Sequence, residues 1–311
     1  MALDIDTIYD KAIASGMLPG VSYVAGDKDG NILYSKSMGR ANSTMGTIAS
    51  MVKIMTSVAV LQCVKDGWLH LDNNIKSLLP NIGKYGVITA FDDATNSAYD
   101  WFSLSLTKWK VSRGGSMWSG WTVEEKSTLP LVFVPGTSFV YSASHDWVGK
   151  AENFSFYPEQ KETMAHCLAA ISTLNEQGEP PAVNASSFNI RFGSTDCFRG
   201  RPCWATLYTY LAFLFAMLCR DLILLGTLDK RYEQALNKYI AQLPMYTQLL
   251  GLGIAPEHRR IKGRCSEGTV MWAGATTSMW FIDPEARTYG IALCQLLPPL
   301  YLPVVELYGK F

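Results

Sequence analysis

The stretch Ser50-Met-Val-Lys53-Ile-Met-Thr-Ser-Val-Ala-Val-Leu61 is apolar on nearly every side when it is wound into a helix. A helix that is apolar all round is a buried helix. A lysine in its first turn is unusual, because burying an ammonium group without a partner is costly and favours the neutral amine. Ser50 lies three residues before Lys53, so both side chains project from the same face. The stretch therefore predicts a core helix with a serine–lysine pair at its start.

This pair has a chemical interpretation and an ordinary one. A hydroxyl beside a lysine that can be neutral is a working pair for acyl transfer, and the positive end of the helix favours negative charge on Ser50 or on a bound oxyanion. In the ordinary interpretation, serine is a common N-cap and Lys53 extends from the helix end toward solvent. The same spacing recurs in Ser105-Leu-Thr-Lys108. Spacing alone is therefore a hypothesis that needs context.

The ends of the chain predict strands that pair in one antiparallel sheet. At the N-terminal end, a helix over residues 3–15 precedes a hairpin of residues 21–25 and 31–34 around an Asp-Gly turn. At the C-terminal end we expect strands at residues 269–271, 278–282 and 289–297 and a helix at 304–308. Between the two ends, residues 73–140 are predicted to be irregular and residues 160–250 mostly helical.

These elements predict an α+β fold. An antiparallel sheet built from both chain ends is flanked by helices, and the middle of the chain forms a mostly helical inserted domain. We place the sheet domain at residues 1–72 and 255–311 and the inserted domain at residues 73–254.

Composition excludes several classes of protein. The 27 basic and 27 acidic side chains leave no basic footprint for nucleic acid. The uncharged run at residues 204–219 is shorter than the ~20 apolar residues of a membrane span, so it predicts a buried helix. The seven cysteines include no C-x-x-C pair, which favours free thiols in a reducing compartment over disulfides or a zinc site. The acidic N-terminus does not resemble a signal peptide, so we expect a cytoplasmic protein.

Several further segments supply the missing context for the serine–lysine pair. Together with residues 48–53, they resemble the serine β-lactamase and penicillin-binding-protein superfamily, whose first motif is S-x-x-K. The likeness is to its esterase and transesterase branch, which includes fungal lovastatin-type acyltransferases. The other matching segments, in the same order as in the family, are residues 17–21, 60–64, 67–72, 134–142, 145–147, 272–274, 280–283 and 295–299. The resemblance implies a β-lactamase/transpeptidase-like fold.

The resemblance also implies a catalytic group. Ser50 would be the nucleophile and Lys53 its activating neighbour. Tyr141, as a phenolate held by Lys53, would take the proton from Ser50 and later deprotonate the incoming alcohol or water. The backbone N–H groups of Ser50 and Ala275 would form the oxyanion hole, in which donors point at the tetrahedral oxygen.

Three residues are implied to contact the substrate: Tyr99, Trp272 and Gly274. Trp272-Ala-Gly274 occupies the third-motif strand, where penicillin-recognising members carry K-T-G, and Ala143 stands where many of them place an asparagine. A site without those polar groups should favour hydrophobic esters or thioesters over charged peptides. Ordinary sheet packing is the alternative for Trp272, because aromatic residues are common in strands.

The sequence thus predicts a serine acyltransferase or esterase of secondary metabolism. It would move a hydrophobic acyl group through a Ser50 acyl-enzyme to an alcohol or water, without a metal or organic cofactor. The donor would be a small-molecule ester or thioester, free or bound to a carrier protein. No G-x-S-x-G elbow supports an α/β-hydrolase, and Gly251-Leu-Gly253 lacks the third glycine of a dinucleotide fingerprint.

Two alternatives remain open at this point. The chain is a catalytically impaired relative that acts as a binding or scaffold protein, or it is a true β-lactamase or carboxypeptidase. Retention of Ser50, Lys53 and Tyr141 together disfavours the first alternative. The replacements at Trp272 and Ala143 disfavour the second.

Overall fold

The computed structural model describes residues 5–40, 45–70, 73–88, 104–116, 119–134, 146–147, 168–185, 203–219, 253–254, 266, 269–299 and 301–308. The helices are α1 (Ile5–Ala14), α2 (Val52–Lys65), α3 (Leu104–Val111), α4 (Val123–Ser127), α5 (Leu207–Leu218) and α6 (Leu302–Tyr308). The strands are β1 (Gly20–Asp27), β2 (Ile32–Gly39), β3 (Gly46–Thr47), β4 (Ser172–Thr173), β5 (Val183–Asn184), β6 (Trp204–Ala205), β7 (Gly253–Ile254), β8 (Val270–Ala273), β9 (Met279–Asp283), β10 (Thr288–Leu293) and β11 (Leu296–Leu297). Single 3₁₀ turns lie at Ala49–Met51 and Ile75–Ser77.

One six-stranded sheet joins the two ends of the chain, in the order β2-β1-β10-β9-β8-β7. The N-terminal hairpin pairs with the C-terminal strands through β1 and β10, which run antiparallel with Val24 opposite Ile291. The described strand pairs of this sheet are antiparallel throughout. The prediction of an antiparallel sheet assembled from both chain ends is therefore confirmed.

Each face of the sheet packs against a pair of helices. Successive strand residues point to opposite faces, so Val24 joins the core under α2 and α5, while Tyr23 joins the core under α1 and α6. Both residues are fully buried. The resulting three layers place α2, and with it the serine–lysine pair, on one face of the sheet.

Helix α5 fastens the start of α2 to this face. The Thr206 side chain caps α5 by accepting a hydrogen bond from the Thr209 N–H. One turn further, the buried Tyr210 hydroxyl donates to the Met51 carbonyl at 2.9 Å. Burial raises the pKa of the Tyr210 phenol, so the group stays a neutral donor.

None of the described helices combines the length and apolar character that a membrane crossing requires.

The structure corrects several predicted elements. The run at residues 204–219 is not one helix, because its first two residues form β6 and pair with β3. Residues 168–185, predicted to be helical, contain β4 and β5, whose pairing depends on β11 more than 100 residues away. The predicted strand at 289–297 is interrupted between β10 and β11. Residues 73–140, predicted to be irregular, include α3 and α4.

The other boundaries agree closely with the predictions for α1, the N-terminal hairpin and the C-terminal strands β8 and β9. The division into a sheet domain at residues 1–72 and 255–311 and an inserted domain at residues 73–254 stays a prediction.

Replacing Tyr210 with phenylalanine should lower the free energy of unfolding by about 1–3 kcal/mol, because the buried Met51 carbonyl loses its donor. Tyr208→Phe is the matched control on the same helix. The Tyr208 hydroxyl contacts Ser35 at the exposed surface, where water can replace it, so a change within about 0.5 kcal/mol is expected. Urea unfolding of both variants measures the difference, and equal effects would contradict the buried contact.

Candidate active site

The serine and the lysine of the first motif meet at the start of α2. Ser50 lies in the 3₁₀ turn Ala49–Met51 that leads into the helix, and the Lys53 Nζ donates to the Ser50 Oγ at 3.1 Å. Both side chains are half-buried. Ile48 occupies the cap position of this 3₁₀ turn and makes no side-chain cap bond, so Ser50 lies inside the turn. A half-buried amine is thus hydrogen-bonded to the candidate nucleophile.

The backbone just before Ser50 has an uncommon conformation. Ala49 has a φ of 43° and is 2% exposed. An L-residue in this region costs about 1–2 kcal/mol, and such residues cluster at functional sites. Neighbouring hydrogen bonds hold it: the Ile48 N–H donates to the Cys203 carbonyl at 2.8 Å, and the Met51 N–H donates to the Ile48 carbonyl at 2.9 Å. Tertiary contacts therefore determine how the Ser50 hydroxyl is presented.

The turn after β8 lies against this same segment. A Cβ atom added to Gly274 would lie 2.7 Å from the Ile48 carbonyl oxygen and 3.5 Å from the Ala49 Cβ. Only a glycine lets the end of β8 approach so closely. The structure thus gives Gly274 a packing role that its predicted substrate contact did not include, and the substrate contact itself stays a prediction.

Ala275, the next residue, has a backbone N–H with no hydrogen-bond acceptor among the described residues. The turn is otherwise closed by its neighbours: the Gly274 N–H donates to the Ser278 carbonyl at 2.8 Å, and the Thr277 N–H donates to the Gly274 carbonyl at 3.2 Å. Ala275 as a whole is half-buried. An available amide at this position is the property that an oxyanion-hole donor needs.

Trp272 is half-buried and packs against the core that α2 and α5 share with the sheet. It pairs with Trp280 of β9, which is 2% exposed. Part of the Trp272 side chain therefore serves packing, as the ordinary interpretation expects. Whether its remaining surface forms a wall for the substrate stays a prediction.

Two other predicted residues, Tyr141 and Tyr99, lie outside the described residues. Their positions relative to Ser50 stay predictions. The second S-x-x-K match, Ser105 and Lys108, lies on α3, an element separate from the helix that carries Ser50. Among the residues that the structure describes, no cluster of three or more histidine, cysteine or acidic side chains could hold a metal ion.

Sequence reasoning did not identify the residues that fix the turn containing Ala275 through hydrogen bonds. The Thr277 hydroxyl donates to the carbonyls of Leu296 (3.0 Å) and Pro298 (3.1 Å), and Thr277 itself has a φ of 56°. The Tyr308 hydroxyl of α6 donates to the Thr277 carbonyl at 2.6 Å. Burial raises the pKa of the Tyr308 phenol, which keeps it a neutral donor. The likeness of residues 295–299 to the family was the one signal that this region matters.

The cysteines near the site are reduced. Cys63, Cys203, Cys219 and Cys294 are free thiols. Cys294 lies under the sheet beside Tyr308, and burial raises the pKa of its thiol to about 12. A buried neutral thiol is a poor nucleophile, so Cys294 does not compete with Ser50 for this role.

Comparison with known proteins was made at the level of sequence and of structure. No family model matches the chain. The lovastatin esterase of Penicillium rubens is 24% identical over 372 aligned positions, which cover 95% of this chain and 93% of the relative. The monacolin J acid methylbutanoyltransferase of Aspergillus terreus is 22% identical over 94% of this chain and 90% of its own length.

Solved structures give the fold. Unliganded simvastatin synthase (LovD) from Aspergillus terreus superposes with a TM-score of 0.79 at 22% identity, over 98% of this chain and 95% of the other. A penicillin-binding-protein homologue from Pyrococcus abyssi superposes with a TM-score of 0.53 at 15% identity, over 98% of this chain and 75% of the other.

The chain therefore has the α+β fold of penicillin-binding proteins and β-lactamases, as the sequence predicted. Its homologues are the lovastatin esterase and LovD-type acyltransferases, so the predicted resemblance to the esterase and transesterase branch is confirmed. The prediction of an enzyme of the acyltransferase or ester-hydrolase class is confirmed at that level by the same relatives.

Replacing Gly274 with alanine should lower the free energy of unfolding by about 1–3 kcal/mol, because the new Cβ must displace the backbone of Ile48 and cannot be accommodated by a side-chain rotation. Urea unfolding measures the effect. An unchanged unfolding free energy would show that the turn and the segment before Ser50 are not in firm contact.

Proposed function

We propose that this protein is a serine acyltransferase or esterase that carries a hydrophobic acyl group on Ser50. The observation that carries the proposal is the 3.1 Å hydrogen bond from the Lys53 amine to the Ser50 hydroxyl, on a helix packed into the core. A serine hydroxyl hydrogen-bonded to a lysine amine is one part of a group that activates serine as a nucleophile, and the base that takes its proton is Tyr141 in this proposal.

In the first half-reaction, the Ser50 Oγ attacks the carbonyl carbon of an ester or thioester. Its proton passes to the Tyr141 phenolate, which Lys53 holds in the ionised form. The backbone amides of Ser50 and Ala275 bind the tetrahedral oxyanion. When the intermediate collapses, the bond to the leaving alcohol or thiol breaks and Tyr141 returns the proton to that group. Ser50 then carries the acyl group as an ester.

In the second half-reaction, an alcohol or water enters where the first product left. Tyr141 takes its proton, the new oxygen attacks the acyl carbon, and Ser50 regains its hydrogen as the intermediate collapses. This ping-pong route needs no metal or organic cofactor. Trp272 and Tyr99 would line the acyl side of the site, together with the turn at Gly274.

The relatives support the substrate class. One is named as an esterase and the other as a methylbutanoyltransferase acting on monacolin J acid, so the same fold serves water and a metabolite as acceptors. We infer a small hydrophobic acyl donor, an alcohol or water acceptor, and a place in the secondary metabolism of a cytoplasmic compartment. We also propose that residues 73–254 form a domain inserted into the sheet domain of residues 1–72 and 255–311.

Ser50→Ala tests the nucleophile directly. We expect the wild type to be labelled covalently by a fluorophosphonate and to release p-nitrophenol from a hydrophobic p-nitrophenyl ester in a burst. Ser50→Ala should lose both, because the acyl-accepting oxygen is gone. Ser105→Ala, from the other S-x-x-K match, is the control and should keep both.

The same experiment decides between enzyme and binding protein. A wild type that shows neither labelling nor a burst would overturn the catalytic proposal and favour the impaired relative. Labelling at a residue other than Ser50, mapped by peptide mass spectrometry, would overturn the assignment of the nucleophile.

Lys53→Arg tests whether turnover needs the Lys53 amine itself or only its positive charge. Arginine keeps a positive charge but does not lose its proton and does not fit the geometry of an ammonium point charge. Because the guanidinium cannot take the place of the compact Lys53 amine beside Ser50 and the Tyr141 phenolate, we expect kcat to fall by about 10²- to 10⁴-fold. Steady-state hydrolysis of the p-nitrophenyl ester measures it, with Lys108→Arg as the control. Near-normal turnover of Lys53→Arg would show that only charge is needed.

A further inference from the structure

We propose that Gln295 is a positioning residue for the reaction: its side-chain amide fixes the segment that presents Ser50 at a set distance from the turn that carries Ala275. The inference rests on the proposed function, because it assigns a task to a residue that contacts neither the nucleophile nor the substrate.

The Gln295 side chain makes two hydrogen bonds to one residue, 248 positions away in sequence. Its Oε1 accepts from the Thr47 N–H at 2.9 Å, and its Nε2 donates to the Thr47 carbonyl at 3.1 Å. Thr47 is fully buried and belongs to β3, a strand of only two residues. The Gln295 amide thus replaces a neighbouring strand: it accepts from the Thr47 N–H and donates to the Thr47 carbonyl.

The Gln295 backbone is itself fixed. Its carbonyl accepts from the Ser172 N–H of β4 at 2.8 Å, and it lies at the break between β10 and β11 with a φ of 21°. The path of its side chain is narrow, because a Cβ atom on Gly46 would lie 2.9 Å from the Gln295 Nε2. A side chain at position 46 would therefore displace the Gln295 amide from this contact.

The Thr47 carbonyl also joins the other half of the site. The Thr276 hydroxyl donates to it at 3.3 Å, and Thr276 follows Ala275 directly in the turn after β8. The Leu296 N–H, next to Gln295, donates to the Thr276 carbonyl at 3.0 Å. Hydrogen bonds therefore join the strand that leads to Ser50 with the turn that contains Ala275. Both are also hydrogen-bonded to residues 295–296.

This arrangement matters for chemistry because two backbone amides on separate segments must converge on one oxyanion. Donors are effective only within about 2.7–3.1 Å of that oxygen. The segment before Ser50 contains Ala49 with its strained positive φ. Without hydrogen bonds from other segments, this backbone would relax to a more common conformation. Loosening Gln295 should therefore disturb the transition state more than substrate binding.

Two variants of Gln295 test the inference. Gln295→Met keeps the approximate size and removes both hydrogen bonds. We expect kcat for the p-nitrophenyl ester and the rate of fluorophosphonate labelling to fall by about 10- to 10²-fold, with KM nearly unchanged, because a small misplacement of reacting groups costs this much. Gln177→Met, at an exposed turn, is the control and should behave as the wild type.

Gln295→Glu gives a readout that a merely structural role would not produce. A protonated carboxyl group has one donor and one acceptor, like the amide, whereas the ionised form only accepts and would face the Thr47 carbonyl unfavourably. The kcat of this variant relative to the wild type at the same pH should therefore rise as the pH falls through the range in which the glutamate gains its proton. The same ratio for Gln295→Met should stay flat.

Each outcome decides the question. Normal kcat and labelling in Gln295→Met, an increase in KM that accounts for the whole loss, or a flat pH ratio for Gln295→Glu would each overturn the positioning role. If the wild type itself is not labelled, the proposed function fails, and hydrogen exchange of a peptide covering residues 45–51 then decides. Faster exchange in Gln295→Met than in Gln177→Met supports the hold on this segment, and equal exchange overturns it.

Discussion

The site depends on one constraint: the backbone of residues 47–49 must be held in a conformation that it would not keep alone. Ala49 has a positive φ in a fully packed environment, and the flanking residues Thr47 and Ile48 are both completely buried. Their backbone groups bond to side chains and strands from distant parts of the chain. Since backbone strain of this kind costs about 1–3 kcal/mol, it persists only where surrounding contacts outweigh it. The presentation of the Ser50 hydroxyl thus depends on contacts from distant parts of the chain, including Cys203 and Gln295.

The second physical element is the placement of a lysine on an otherwise apolar helix. Helix α2 packs on the sheet with α5. Lys53 in its first turn and Ser50 in the preceding 3₁₀ turn are both half-buried. At such a position the electrostatic interaction between amine and hydroxyl is stronger than in water, because fewer water molecules screen it. Ser105 and Lys108 on α3 are half-buried as well, so burial does not separate the two S-x-x-K matches. The first match is marked by the hydrogen bond from the Lys53 Nζ to the Ser50 Oγ and by the Gly274 turn packed against the residues before Ser50.

The lovastatin esterase contains segments that this chain lacks. The alignment with the lovastatin esterase extends over 372 positions, more than the 311 residues present here, so it contains gaps opposite segments of the relative. The sheet from both chain ends and the serine-bearing helix are present nonetheless. Ser50 precedes α2 and Ala275 follows β8, so both candidate site residues lie next to elements of this fold.

Local sequence signals determined the elements that are long enough to show a period. The apolar run after Ser50, the Asp-Gly hairpin and the C-terminal strands were all predictable, because apolar runs bounded by turn residues are local signals. The capping box of α4, formed by Thr122 and Glu125, was also readable in the sequence but was overlooked, so the helix was missed. The resemblance supplied the fold and the roles of the site residues, which periodicity does not contain.

Tertiary structure alone decided the rest. Strands β3, β4 and β6 have two residues each, too few for any periodic pattern, and they exist because distant partners complete their hydrogen bonds. The bond between Gln295 and Thr47 links residues 248 positions apart through a glutamine that has no local signature. The close approach of Gly274 to Ile48 depends on how the end of β8 packs against the segment before α2. The sequence by itself determined which residues are available for chemistry, whereas the packing of the sheet against its helices decided how their atoms meet.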